Sequence, residues 1–320
     1  MKVYIKTPAR LQFGLIDLNG DLGRIFGGLG VGINQPNVIL EAEPFKGFAV
    51  TGEKPELTAA LAKRFFDTYH VQANVHLHVA KAIPEHAGLG SGTQLALAVA
   101  TALAKLSNVN SSTQEFAVAM GRCQRTRVGT TIFEQGGFVV DGGKPLTNGV
   151  PTADLPPLII RQHFPTDWRF VVAVPSANKG LSNDEEKTAF KQLTPMPSET
   201  VGKVCRLTMI KLLPALAERD ICAFGEALTN IQIMIGDYFA QVQGGRYSSL
   251  AVTQSIKFMQ ELGAYGVGQS SWGPACYGLF SKEEAKEAKL KVQAFLENNV
   301  GGQVFIAKAN NRGAYIKLTK

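Results

Sequence analysis

The sequence predicts an α+β protein of two lobes. Three observations carry this expectation. Period-two strand patterns and helical stretches occur in both halves without a repeating βαβ order. The 320 residues are about twice the size of a typical domain. Residues 146–157 contain three prolines and few long apolar side chains, which is the composition of a boundary between lobes. The expected lobes are therefore 1–155 and 156–320.

The amino terminus, Met1-Lys2-Val3-Tyr4-Ile5-Lys6, alternates like a strand and lacks the apolar core and cleavage site of a signal peptide. Val75, Leu77 and Val79 alternate with His76 and His78, predicting a half-buried strand that ends in a turn at Pro84. Residues 92–106 are rich in Ala and Leu with no internal Gly or Pro, which predicts a helix buried on most of its surface. A helix at 113–124, a strand at 133–140 and a turn at 141–143 follow. The second half reads as a strand at 170–174, then helices at 185–191, 198–213, 221–239 and 250–262. A strand pair near Gly266 and at 276–280 comes next, then a charged helix at 282–298 and strands near Val304 and Ala314.

Composition narrows the function classes. Apolar residues at 45% and charged residues at 18% are ordinary for a globular chain. The longest apolar run, 95–104 with Thr101 counted as neutral, is about half of the roughly 20 residues a membrane span needs. A cytoplasmic protein with no membrane partner is expected. Cys123, Cys205, Cys222 and Cys276 form no C-x-x-C pair and no zinc-ligand spacing, and read as reduced thiols. The net charge of +7 suits an anionic partner. Lys and Arg are scattered and do not interleave with aromatics, which argues against nucleic acid and for a phosphate-rich small molecule.

The most informative stretch is Pro84-Glu85-His86-Ala87-Gly88-Leu89-Gly90-Ser91-Gly92-Thr93-Gln94, between a strand and the buried helix. Glycines at alternate positions admit close backbone approach, and a helix N-terminus offers unpaired N–H groups with a positive dipole end. The plainer reading is a tight turn with Ser91 or Thr93 capping the helix. The spacing is neither G-x-x-x-x-G-K nor G-x-G-x-x-G, because Thr93 takes the place of the last glycine.

P-x-x-x-G-L-G-S-G resembles the phosphate-binding loop of the galactokinase, homoserine kinase, mevalonate kinase and phosphomevalonate kinase (GHMP) superfamily. Gly266-Val267-Gly268-Gln269-Ser270-Ser271-Trp272-Gly273-Pro274 resembles its late glycine-rich loop. Further strings are similar to the β-ribofuranosylaminobenzene 5'-phosphate synthase family. These are Pro8 to Gly20, Gly23 to Gly30, Gly90 to Gln94, Phe133 to Phe138 with Asp141-Gly142-Gly143, Lys179-Gly180-Leu181-Ser182, and Tyr238-Phe239 with Gln243 to Tyr247. The resemblance covers nearly the whole chain. Two positions depart from it: Gln12 stands where the family pattern has histidine, and Thr126-Arg127 where it has serine and glycine.

This resemblance implies a two-lobed GHMP-kinase-like fold, with an N-terminal lobe like ribosomal protein S5 domain 2 and a C-terminal ferredoxin-like α/β lobe. It also implies a homodimer. The implied substrates are phosphoribosyl pyrophosphate and 4-aminobenzoate or 4-hydroxybenzoate, with release of CO2 and pyrophosphate, in tetrahydromethanopterin biosynthesis. Mg2+ is the implied cofactor. Gly88, Leu89, Gly90, Ser91, Gly92, Thr93 and Gln94 would bind phosphate. Arg246, Gln269, Ser270, Ser271, Trp272 and Gly273 would bind substrate, with Trp272 either stacking on an aromatic ring or anchoring the core.

Glu134, Asp17 and Arg24 are the candidate catalytic residues, with Ser91 and Glu134 as candidate metal ligands. Asp141 is a further candidate carboxylate, and Asp17 and Asp141 have the alternative of organising turns. Glu134 stands in an apolar predicted strand, where a buried acid needs a partner. Among Arg24, Arg122, Arg125 and Arg246, flanking glycines favour Arg24 and Arg246 as anion clamps. His76 and His78 share a strand face, where an ordinary strand edge competes with a metal pair.

Two rival readings remain. One is a kinase of the same superfamily, weighed against by the lack of an aspartate in the residues leading to Gly136-Gly137. The other is a non-catalytic paralogue that binds a phosphate ligand.

Overall fold

The computed structural model describes residues 1–176 and 183–319, with the side chains of 183 and 184 excepted. Lys179-Gly180-Leu181-Ser182 lies outside the described residues. In the first half the strands are β1 (Lys2–Lys6), β2 (Ala9–Asp17), β3 (Arg24–Ile33), β4 (Ile39–Pro44), β5 (Phe48–Gly52), β6 (Val75–Lys81), β7 (Phe138–Asp141), β8 (Lys144–Thr147), β9 (Val150–Pro151) and β10 (Leu158–Gln162). The helices are α1 (Pro55–Tyr69), α2 (Ser91–Ser107), α3 (Thr113–Ala119) and α4 (Val128–Gln135). The second half holds β11 (Trp168–Pro175), α5 (Asn183–Gln192) and α6 (Ser198–Leu207), then a π-helical turn (Thr208–Leu212) leading into α7 (Leu213–Glu218). It continues with α8 (Ile221–Gln243), α9 (Leu250–Glu261), β12 (Gly266–Gln269), β13 (Cys276–Ser281), α10 (Ala285–Glu297), β14 (Gly302–Ala307) and β15 (Tyr315–Thr319).

Three sheets result, ordered β15-β1-β4-β6-β5, β10-β7-β3-β8-β9 with β2 on β3, and β12-β13-β11-β14. The third is antiparallel throughout and carries the split βαβ order of a ferredoxin-like unit. Past the expected boundary at 155/156, β10 still pairs with β7 and β15 returns to β1.

Every residue from 94 to 104 in α2 is buried, because the helix packs on β1 and β4 on one side and on α1, α3 and α4 on the others. Val75, Leu77 and Val79 of β6 face the core. On the opposite face, Thr51 Oγ1 lies 2.9 Å from both His76 Nε2 and His78 Nδ1. The halves share one core: the Phe13 ring of β2 lies 5.4 Å from that of Tyr277 and 5.9 Å from that of Phe170, and all three are buried. Aromatic side chains bury large areas, so this contact fixes the two halves against each other.

Two sequence expectations are corrected. The predicted strand at 133–140 begins instead as the end of α4. Val128, Ile132 and Phe133 bury a helical face, and Gly136 (φ +61°) and Gly137 (φ +85°) stop the helix before β7 starts at Phe138. Glu134 is therefore a helical residue. The helix at 113–124 ends at Ala119, since Gly121 (φ +69°) and Cys123 (φ +60°) take left-handed backbone that no helix continues through.

Candidate active site

The glycine-rich loop delivers α2 with its N-terminus open. Gly88 (φ +77°) and Gly90 (φ +80°) adopt left-handed conformations, and Gly90 is the N-cap, so no side chain caps the helix. Ser91 is instead the first helical residue, and Thr93 packs on Gly129. The loop leans on the late glycine-rich loop. A Cβ on Gly88 would stand 2.0 Å from the Ser270 carbonyl oxygen, and Ser270 Oγ donates to Gly88 O at 2.6 Å while accepting from Gln12 N at 2.9 Å. Arg10 N donates to Leu89 O at 3.1 Å, which ties β2 to the same loop.

A cavity of about 510 Å³ opens between these loops, α5 and α8. Arg10 and Arg122 flank the uncapped helix, and Arg125 lines the same cavity. Arg10 lays its stem over Gly90 and donates from Nη1 to Gly88 O at 3.3 Å. Arg122 Nη1 comes within 2.8 Å of the place a Cβ on Gly92 would take, and its Nε is buried with no hydrogen-bond partner. Arg125 pairs with Glu186 at 3.0 Å and stacks over the Phe190 ring at 4.1 Å. Burial pushes the Arg10 guanidinium down to about 10, against the pull of Glu186. Arg122 is lowered by burial and then by neighbouring Arg64, and Arg125 by burial, again opposed by Glu186. Cations crowded at the positive end of a helix suit a polyanionic ligand.

Aromatic side chains form another part of the wall, which Arg125 joins to the cations. Trp272 meets Phe239 edge-on with centroids 4.7 Å apart and Phe190 at 5.8 Å, and Phe190 meets Phe239 at 5.7 Å. All three line the cavity with Ile235 and Leu15.

Of the residues singled out in the sequence, Gly88, Gly90, Ser91, Gly92, Thr93, Arg246, Gln269, Ser271 and Trp272 line this cavity. Leu89 is core, and Gln94 is buried with Nε2 donating to Gly129 O at 2.9 Å. Ser270 ties the two loops together, and Gly273 packs beneath Ser248. Arg246 is held by Asp237 through Nε at 2.6 Å and Nη2 at 3.0 Å.

Three candidates are placed elsewhere. Asp17 Oδ1 accepts from the N–H groups of Asn19 and Gly20, organising a turn. Arg24 donates to the carbonyls of Gly142 and Gly143. Glu134 accepts from Gln114 Nε2 at 2.9 Å on the α3 side of α4, so it does not share the cavity with Ser91. Asp141 is fully buried and accepts from the N–H groups of Gly28, Gly143 and Arg127. Burial raises its carboxyl to about 6, against the pull of those three donors. Arg10, Glu186, Phe190 and Phe239 were not among the candidates, and Gln12, noted in the sequence only as a departure from the family pattern, also lines the cavity. Arg10 and Gln12 sit two apart on β2, but only the fold reveals which face of that strand meets the glycine loops.

The family model of the GHMP kinases N terminal domain matches residues 56–137, and that of the GHMP kinases C terminal matches residues 212–298. The chain is 32% identical to a β-ribofuranosylphenol 5'-phosphate synthase of Methanothermobacter thermautotrophicus over 99% of each chain. It is 33% identical to one of Archaeoglobus fulgidus over 98% of this chain and 99% of the other. Its fold matches the crystal structure of homoserine kinase from Cytophaga hutchinsonii with a TM-score of 0.71 at 16% identity, over 99% of this chain and 97% of that one.

Proposed function

Since the chain belongs to the β-ribofuranosylphenol 5'-phosphate synthase family, built on the GHMP kinase fold, we propose that it transfers a phosphoribosyl group from phosphoribosyl pyrophosphate to a para-substituted benzoate, releasing pyrophosphate and CO2. The product would enter tetrahydromethanopterin biosynthesis. The relatives' name specifies a phenol, which favours 4-hydroxybenzoate over 4-aminobenzoate as acceptor. One observation supports the reading above the others: a cation-lined anion pole and an aromatic wall share a single cavity, matching a substrate pair of one polyanion and one aromatic ring.

In this reading the bond from the anomeric carbon to pyrophosphate breaks, and its electron pair leaves with pyrophosphate. The ring carbon bearing the carboxylate forms the new C–C bond. Loss of CO2 returns an electron pair to the ring and restores aromaticity, so no net proton transfer is required. The first-turn N–H groups of α2 with Arg10 and Arg122 stabilise the growing charge on the leaving group; preorganised donors of this kind are each worth about 3 kcal/mol of barrier. Phe190, Phe239 and Trp272 hold the acceptor ring.

No group of three or more His, Cys, Asp or Glu among the described residues could hold a metal ion. The donor set fits Mg2+ carried by substrate phosphates, which takes only one or two protein oxygens. Ser91 and Glu186, the latter now paired with Arg125, line the cavity and would contribute oxygens, and the metal would neutralise charge on the leaving pyrophosphate. Among the described residues no helix is long and apolar enough to cross a membrane. The form we propose is a cytoplasmic homodimer.

The test uses purified protein, Mg2+, phosphoribosyl pyrophosphate and carboxyl-labelled 4-hydroxybenzoate, with 4-aminobenzoate and ATP in parallel tubes. Labelled CO2 and pyrophosphate released in equal amounts are expected. ATP consumption with a small alcohol and no label release would replace the synthase by a kinase. Silence in all tubes would leave a binding protein.

A further inference from the structure

We propose that Gln12 reads the ribose: its side-chain carbonyl oxygen accepts a hydrogen bond from a ribose hydroxyl and so selects the sugar. This deepens the function proposed above and rests on it.

Gln12 is 7% exposed and lines the cavity. Its backbone N–H is taken by Ser270 Oγ, and its side-chain Nε2 donates to Gly14 O at 2.9 Å. That second bond fixes the amide orientation and leaves Oε1 as the outward group. Oε1 has no hydrogen-bond partner among the described residues, yet it is not one of the sealed, unpartnered atoms of the interior. An amide with one half fixed on a backbone carbonyl and the other open toward a cavity is a preorganised acceptor, because its orientation is already set when a ligand hydroxyl takes the place of solvent there.

Position identifies which hydroxyl-bearing group it meets. Arg10, Gln12 and Gly14 lie at alternate positions of β2 and all line the cavity. Arg10 is at the anion pole against Gly88 and Gly90, whereas Gly14 lies against Ile235 of α8, the helix that carries Phe239. Gln12 therefore stands between the place for pyrophosphate and the place for the aromatic ring. In a donor whose anomeric carbon must bridge those two places, the intervening part is the ribose, with its 2'- and 3'-hydroxyls. The β-bulge between Gln12 and Gly14 turns the strand at this point, a device common beside binding sites.

The test is a cycle between protein and ligand. Calorimetric affinities for phosphoribosyl pyrophosphate and for its 2'-deoxy and 3'-deoxy analogues are measured with wild type, Gln12→Met and Gln12→Glu. Gln12→Met removes the acceptor at similar volume. Gln12→Glu keeps an acceptor but loses the bond to Gly14 O. Wild type should prefer the ribose ligand over one deoxy analogue about tenfold, as one hydrogen bond warrants. Gln12→Met should reduce that preference to less than about twofold, and Gln12→Glu should retain it, whatever the change in absolute affinity. If Gln12→Met weakens all three ligands equally, the side chain acts only through Gly14 and the inference is overturned. If wild type binds no phosphoribosyl pyrophosphate, the proposed function falls and this inference with it. Binding by wild type with an additive cycle overturns the Gln12 role alone.

Discussion

Replacing Gly88 by alanine should force the two glycine-rich loops apart, whereas the same change at Gly92 should spare the fold and crowd the anion site. At Gly88 the backbone has φ +77°, where an L-residue costs about 1–2 kcal/mol. The added Cβ would lie 2.0 Å from the Ser270 carbonyl oxygen, and that contact is with backbone, which has no rotamer to escape into. Parting the loops loses the Ser270 Oγ to Gly88 O bond at 2.6 Å and the Ala275 N to Ala87 O bond at 3.1 Å. Each is worth about 1 kcal/mol, so the total reaches about 3–4 kcal/mol and the melting temperature should drop by on the order of 10 °C. At Gly92 the backbone is helical, and the new methyl would meet only Arg122 Nη1 at 2.8 Å, the far end of a flexible side chain. Alanine there gains up to about 1 kcal/mol of helix propensity while displacing the Arg122 guanidinium from beside the first turn. Thermal melts of both variants, with calorimetric titration of pyrophosphate into the Gly92 variant, provide the readout. A Gly88→Ala protein melting within about 2 °C of wild type, or a Gly92→Ala protein binding pyrophosphate unchanged, would show that the loops tolerate these methyl groups.

Three further outcomes follow from the same geometry. Arg122→Met should weaken pyrophosphate binding at least about tenfold, since charge-assisted hydrogen bonds are lost. It should leave the ligand-free melting temperature equal or higher, because a cation beside Arg64 and a helix N-terminus is removed; a fall in melting temperature would contradict this. Trp272→Leu should raise the KM for the aromatic acceptor by about tenfold with pyrophosphate affinity unchanged, and equal losses for both would place Trp272 in the core instead. Asp141 ionises near 6 in the fold against an ordinary 3.8, so between those values the folded state keeps a proton the unfolded chain has lost. Its contribution should fall as pH rises from about 4 to 6, by about 3 kcal/mol in all, and urea midpoints of Asp141→Asn should lack that slope; identical slopes in both proteins would refute it.

The sequence made α2 and β6 legible because each carries a local signal. An Ala- and Leu-rich stretch free of Gly and Pro has little option but a buried helix, and Val75, Leu77 and Val79 alternate cleanly. At 128–140 the signal was mixed: Ile132-Phe133 and Val139-Val140 are apolar in any conformation, and only the left-handed pair Gly136-Gly137 separates helix from strand. β10 carries only the modest alternation of Leu158–Gln162, too little to mark a strand in the sequence. The anion loop was readable as a contiguous motif. The arginines that complete it were not ranked correctly, because Arg10 lies over a hundred residues from Arg122 and Arg125, and glycine neighbours favoured Arg24, whose guanidinium is occupied by the carbonyls of Gly142 and Gly143. Glu186 and Phe190 gave no local sign, since their role exists only once α5 is laid across the cavity.

The pairing of β15 with β1 has a consequence for biogenesis. Lys2 faces Thr319 and Lys6 faces Tyr315, so strands more than 300 residues apart in sequence are neighbours in one sheet. On the ribosome, β1 can bond to β4 early, but its other edge stays bare until all the intervening chain has been made. An unpaired edge held open that long is a template for strands of other molecules. The nascent chain is thus most exposed to misassociation at the edge it closes last.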